Sequence, residues 1–303
     1  MIVSITGGGG FVGEHLVERY LEQRAEVRLL SRRPSLSHDG VNYFVGDLSK
    51  PGSDFSDFVN GADVIFHCAG EIKDETLMQQ LHVNGTQQLL EASKGRVGRW
   101  IQLSSVGAYG VCRKDVVTEE SPERPLRIYE QTKTEADRIV KKSGIPYVIL
   151  RPSAVFGLKM RNKSLYQLLN MVKKGLFFYL GKEGALVNYV HVKDVVEALV
   201  LCAKDDRALG NTYNLSQTIK IEKMVNSFLS GLNIERRPLR FPERPIRLIA
   251  NYFGLLPGFP LTVSRIDALT GFCCYDSKKI IEELDFKFDS SLEDSFKFFA
   301  SKK

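Results

Sequence analysis

Along the chain, short runs of β-branched and aliphatic residues alternate with longer stretches whose apolar residues recur at helical spacing. IVSI is followed by FVGEHLVERYLEQR, and VRLL, VNYFVG, DVIFHC, WIQLSS and YVILRPS come later with helical segments between them. That alternation predicts βαβ units and an α/β doubly wound fold, a parallel sheet with helices on both faces. Helices are expected over 76–94 and 127–143, the second closed by Gly144 and Pro146. After Gly157 the pattern is less regular, yet NYVHVKDVVEALVLCAK and NTYNLS read as a helix and a strand returning to the first sheet. The expected division is a main unit over 1–157 plus about 187–216, and a smaller discontinuous unit over about 158–186 plus 217–303.

Composition narrows the class. With 303 residues, 43% hydrophobic and 26% charged, the chain can bury a sizeable core and is neither disordered nor fibrous. A formal charge of +6, spread along the chain without a basic tail, suits an anionic small molecule at least as well as nucleic acid. The five cysteines (68, 112, 202, 273 and 274) are odd in number and show no CxxC spacing. A disulfide framework and a zinc site are both disfavoured, no metal is implied, and a reducing cytoplasm is expected. MIVSITGGGG reads as a strand straight from Met1, with no cleaved signal ahead of it. The apolar stretch IRLIANYFGLLPGFPLTV holds Arg247 and is broken by Pro257 and Pro260, so it predicts a wall or lid over a pocket and not a membrane span.

TGGGGFVGEHL places Gly7, Gly10 and Gly13 between the first strand and the first helix, with Phe11 and Val12 opening that helix. A side chain at these glycines would obstruct the tight turn, the approach of a pyrophosphate to backbone N–H groups, or helix-on-sheet packing. Dinucleotide binding is expected; the plainer alternative is a flexible turn. At the end of the second strand the sequence is VRLLSRRP. An acidic residue there would bind both ribose hydroxyls, but Ser31 stands in its place, followed by Arg32 and Arg33. NADP(H) is favoured, with NAD(H) as the alternative if the arginines form a solvated loop.

Several further motifs occur in one order: GDL at 46–48, HCAG at 67–70, HVNGTQQLL at 82–90, LSSVGAYG at 103–110, YEQTK at 129–133, then LRPSAVFG and YVHVKDV. With the GxxGxxG turn, this series resembles the extended short-chain dehydrogenase/reductase family, of the NAD-dependent epimerase/dehydratase type, over nearly the whole chain. The resemblance implies a Rossmann fold with a smaller C-terminal substrate domain. It places Asp47 and Leu48 on the adenine side of the cofactor and Cys68, Ala69 and Gly70 beneath it. Arg151, Pro152, Ser153 and Val155 complete the implied cofactor-binding set.

Tyr129 and Lys133 stand one helical turn apart, on the same face. Free tyrosine titrates near pH 10, about three units too high for efficient proton shuttling at neutrality. A neighbouring ammonium would lower it. The resemblance makes Tyr129 the general acid/base and gives Lys133 the nicotinamide ribose. Ser105 holds the reacting oxygen, chosen over Ser104 from the SSxxxYG pattern; its plainer role is to cap a turn. Asn84 is expected to support the proton relay or a helix bend. His67 and His191 read as structural, Phe177, Phe178 and Tyr179 as core, and Glu71 and Lys73 as cleft-lining or solvated loop.

The implied reaction is hydride transfer at a carbonyl or hydroxyl carbon. A nucleotide-sugar 4-ketoreductase or 4-epimerase is expected, with Arg236, Arg237, Arg240 and Arg247 available to a diphosphate or else forming a solvated basic face. The alternatives are a reductase of a non-sugar ketone, dihydroflavonol- or hydroxysteroid-like, and a non-catalytic NADP-binding redox sensor, against which the intact YEQTK weighs. Val106 and Gly107 stand where dehydratases of the family carry an acidic pair, which counts against dehydration. Relatives that dimerise through the helices equivalent to 76–94 and 127–143 suggest a homodimer.

Overall fold

The computed structural model describes residues 1–32, 39–112, 115–160, 162–253 and 262–303. In chain order the first half comprises β1 (Ile2–Thr6), α1 (Phe11–Glu22), β2 (Glu26–Ser31), β3 (Val41–Val45), α2 (Ser56–Val59), β4 (Val64–His67), α3 (Glu75–Met78), α4 (Gly85–Ser93), β5 (Arg99–Leu103), β6 (Val116–Val117), α5 (Ile128–Lys142) and β7 (Tyr147–Pro152). β11 (Thr212–Leu215) joins them from later in the chain. Seven strands form one parallel sheet in the order β11-β7-β5-β4-β1-β2-β3. Strands buried on both faces are mostly apolar, as Val3, Ile5, Val64, Phe66, Val148 and Leu150 show, and the buried polar Ser4 and Thr6 of β1 are hydrogen-bonded to the Phe58 carbonyl and His67. The order reverses between β1 and β4, and that reversal opens a crevice at the carboxyl ends of the strands.

The helix expected over 76–94 is not uniform. A π-helical turn, Gln79–Asn84, separates α3 from α4. Within this wider turn His82 and Val83 are buried and Asn84 is exposed.

The second half holds β8 (Ala154–Phe156), α6 (Ser164–Lys174), β9 (Tyr179–Leu180), β10 (Leu186–His191), α7 (Val192–Lys204), β12 (Gln217–Lys220), α8 (Ile221–Leu232), β13 (Arg240–Phe241), α9 (Glu243–Phe253), α10 (Val263–Thr270), β14 (Cys274–Tyr275), α11 (Lys278–Leu284) and α12 (Leu292–Ser301). β10 lies between β8 and β12, parallel to the first and antiparallel to the second. A separate core gathers here around Phe156, Phe228, Phe296 and Phe299, with Phe156 stacked on Phe296 at 4.6 Å. Phe177 and Tyr179 are buried in it. Ile280, Leu284 and Phe286, on the second-unit side of the expected boundary, instead pack in the core beneath the large sheet, because α11 covers the edge strand β11. Among the described residues, no helix is long and apolar enough to cross a membrane.

Candidate active site

The β1–α1 turn is shaped by backbone approach. Gly7 has φ +70°, and a Cβ on it would lie 2.7 Å from the Ala69 nitrogen. A Cβ on Gly13 would fall onto the Gly7 carbonyl. Gly10 caps α1, so the N-terminal N–H groups of that helix meet the β1/β4 crevice with no side chain in the way. A cradle that any Cβ would fill, at a helix N-terminus, fits the pyrophosphate of a dinucleotide.

The neighbouring turn is fixed by buried hydrogen bonds. Thr6 Oγ1 accepts the Ala69 N–H at 3.2 Å and lies 2.8 Å from His67 Nδ1, while His67 Nε2 lies 2.9 Å from Thr86 Oγ1. Burial holds His67 well below its ordinary pKa, hence neutral. Cys68, Ala69 and Gly70 are thereby set beside Gly7. Leu48 is buried against α4, its carbonyl 2.5 Å from where a Gly85 Cβ would stand. Burial opposes ionisation of Asp47, but hydrogen bonds from the Ser49 side chain and backbone, with the charge of Arg32, hold its carboxyl below the usual range. Ser31 ends β2 in register with Val45, and Arg32 follows it, exposed. Arg33 lies outside the described residues.

One contact ties Lys133 to the end of the strand that precedes Ser105. Buried Lys133 donates from Nζ to the Leu103 carbonyl at 2.6 Å, two residues before Ser105, and so fastens α5 to the end of β5. Burial lowers the ammonium's pKa, and the Asp137 carboxylate pulls it back up. Ser105 Oγ accepts the Gly107 N–H at 3.1 Å, which leaves its own O–H to donate. Ser104 instead donates to Asp137 at 2.8 Å, out of reach of a substrate in the crevice. Tyr129 differs from expectation: burial, with the charges of Asp137 and Glu130, pushes its phenol up to about 12. Protein groups alone keep it protonated at neutral pH.

Asn84 is exposed and closes the π-helical turn, where a helix bend was one of its two expected roles, and its backbone carbonyl accepts from Gln88. His82 lies inside instead, its ring edge-on to Tyr129 with centroids 5.7 Å apart. Its signal was the register of HVNGT itself: in the NxxGT pattern the first position falls on residue 82, where this chain has histidine. Arg151, expected near the cofactor, is buried and bonds Asp137 from Nε (3.1 Å) and Nη2 (2.9 Å) and Glu123 from Nη2 (2.5 Å). It holds α5 against β7. Pro152 and Ser153 are buried beside it, and Val155 is half-buried on β8.

A doubly wound sheet with a glycine-lined helix N-terminus at its switch point, facing a Tyr–Lys turn, defines an enzyme of the nicotinamide-dinucleotide class. More narrowly, residues 3–216 match the NAD dependent epimerase/dehydratase family, and the chain belongs to that family. It is 27% identical to the sterol-4-alpha-carboxylate 3-dehydrogenase (decarboxylating) of Bos taurus, covering 92% of this chain and 86% of that protein. It is also 27% identical to a putative dihydroflavonol 4-reductase of Synechocystis sp., with coverages of 92% and 88%. The solved UDP-glucuronic acid 4-epimerase of Bacillus cereus, in complex with NAD, superposes with a TM-score of 0.75 at 19% identity over 100% of this chain and 99% of that one. That likeness speaks for the fold.

Proposed function

We propose that the chain is an NAD(P)-dependent oxidoreductase that interconverts a ketone and a secondary alcohol on a ring carbon. The observation that carries this reading is the Lys133–Leu103 hydrogen bond, which ties the helix of Tyr129 to the strand that ends at Ser105. When bound, the nicotinamide would supply or accept the hydride. Ser105 donates its O–H to the substrate oxygen and steadies the charge that develops there. Tyr129 passes a proton to or from that oxygen, and its protonated resting state is the form that carbonyl reduction requires. Lys133 would hold the cofactor ribose. Ser31 and Arg32 at the end of β2 support NADP(H), since neither would repel a 2′-phosphate.

For the substrate we favour a cyclic alcohol or ketone without a nucleotide over the nucleotide sugar expected from sequence. Two of the four arginines offered to a diphosphate are already paired: Arg240 with Glu222 at 2.6 Å, and Arg247 with Glu243 at 2.5 Å and Asp267 at 2.8 Å. The sequence relatives named above are a sterol dehydrogenase and a dihydroflavonol-type reductase. The test is a panel of cyclic ketones and alcohols beside UDP- and dTDP-linked 4-keto sugars, followed at 340 nm with NADPH and NADH. Turnover of a cyclic ketone, lost by about a hundredfold or more in Tyr129→Phe with cofactor binding retained, is expected. Undiminished turnover by that variant overturns the mechanism, and turnover of the sugars alone overturns the substrate.

A further inference from the structure

His82 is a buried titratable group beside Tyr129 and Lys133 that the proposed reaction leaves without a task. Its nitrogens reach two different elements. Nε2 takes the backbone N–H of Glu71 at 2.8 Å, and Nδ1 lies 2.8 Å from Thr132 Oγ1 on α5. The Glu71 N–H can only donate, so Nε2 carries no proton. The single hydroxyl hydrogen of Thr132 is directed to the Ile128 carbonyl at 2.8 Å, so Oγ1 accepts and Nδ1 carries the proton. The two contacts fix one tautomer. A cationic imidazole would set an N–H against the Glu71 N–H, and burial together with the nearby Lys133 charge pushes His82 down to about 3.

The segment that His82 holds is itself preorganised. Glu71 Oε1 accepts the N–H groups of Ile72, Lys73 and Asp74 at 2.8, 2.7 and 3.3 Å, which wraps 71–74 around one carboxylate. Upstream, Ala69 is tied to Thr6 on β1. The loop that skirts the cofactor crevice is thus anchored at one end by Thr6 and at the other by His82. The same imidazole presents to the Tyr129 ring at 84°, on a helix whose next turn carries Thr132 and Lys133.

We propose that His82 is a positioning residue: as the neutral Nδ1–H tautomer it joins loop 70–74 to α5 and sets the orientation of the Tyr129 ring. This rests on the reading of Tyr129 as the proton-transfer group. Losing the link frees Tyr129 to move relative to the substrate oxygen, an effect on turnover more than on binding.

Two measurements on the full chain test it. With 15N-labelled histidine, NMR between pH 5 and 8 should show His82 neutral and protonated at Nδ1 throughout, with its shifts altered by Thr132→Val. An imidazolium in that range, or a proton on Nε2, overturns the assignment. In kinetics, Thr132→Val and His82→Leu should each lower kcat roughly tenfold or more with substrate KM changed less than about twofold, and the double variant should be no worse than the weaker single. Unchanged kcat, or effects that multiply, overturn the positioning role. Should His82→Leu fail to fold, Thr132→Val, which keeps the imidazole and the volume of the side chain, carries the kinetic arm. The tautomer is read without turnover, so failure of the Tyr129 mechanism, seen as an active Tyr129→Phe, is distinguishable from failure of the His82 link.

Discussion

Replacing Arg151 with methionine removes a charge that the fold has fully enclosed. The guanidinium is 1% exposed and Asp137 is 0% exposed, so neither is solvated by water. Asp137 Oδ2 receives Arg151 Nε at 3.1 Å, Arg151 Nη2 at 2.9 Å and Ser104 Oγ at 2.8 Å, while Oδ1 is buried without a hydrogen bond. Arg151→Met leaves that carboxylate with Ser104 as its one remaining hydrogen-bond donor and with the nearby Lys133 charge. Removing one partner of a buried ion pair costs about 3–5 kcal/mol. At ~2–4 °C per kcal/mol for a chain of this order of size, the melting temperature should fall by about 10 °C. Urea unfolding by circular dichroism measures the loss, and a fluorescence titration measures cofactor affinity. The deficit should narrow as pH falls, because a protonated Asp137 needs no counterion, and Arg151→Met combined with Asp137→Leu should recover much of it. A loss below about 1 kcal/mol refutes the reasoning. So does a tenfold loss of cofactor affinity at unchanged stability, which would return Arg151 to the cofactor.

Acid should weaken the fold earlier than its carboxylates alone would. His82 is pushed down to about 3 and His191 to about 4, burial being the largest cause in each, and His67 lies well below its ordinary value. An unfolded chain takes up protons below about pH 6.5 that these folded sites refuse, so stability is full above that pH and is lost as pH falls toward the folded values. At pH 5 the loss is about 1–2 kcal/mol per enclosed histidine, and a melting temperature flat between pH 6.5 and 5 contradicts it. Gly13→Ala places a methyl on the Gly7 carbonyl and 2.9 Å from the Gly8 Cα. It should cost about 1–3 kcal/mol and weaken cofactor binding more than tenfold by calorimetry, and binding at wild-type strength contradicts the cradle.

Much of the frame was legible because strand and helix periods are local. β1, the glycine turn and α1 follow one another without long-range help, and the YEQTK spacing alone puts Tyr129 and Lys133 on one face of α5. What escaped depends on contacts remote in sequence. Arg151 is 14 residues from Asp137 and 28 from Glu123, and nothing in LRPSAVFG announces an enclosed ion pair. Spacing gave a lysine that should acidify a phenol; burial, which spacing does not report, raises the phenol instead. Within the π turn at 79–84 His82 is buried and Asn84 exposed, a pattern that a uniform 3.6-residue period cannot anticipate. In the second half, the pairings of β9 with β13 and of β6 with β14 involve two-residue strands, too short for any alternation to register.

The last two helices bind the molecule's halves in opposite directions. α11 seals the rim of the nucleotide-side sheet, and a few residues later α12 lies along α8, close enough that a Cβ on Gly231 would meet Ala300 at 2.9 Å. The tail therefore works as a suture between two bodies: cutting the chain after Ser277 would strip a wall from each, and both should melt as one.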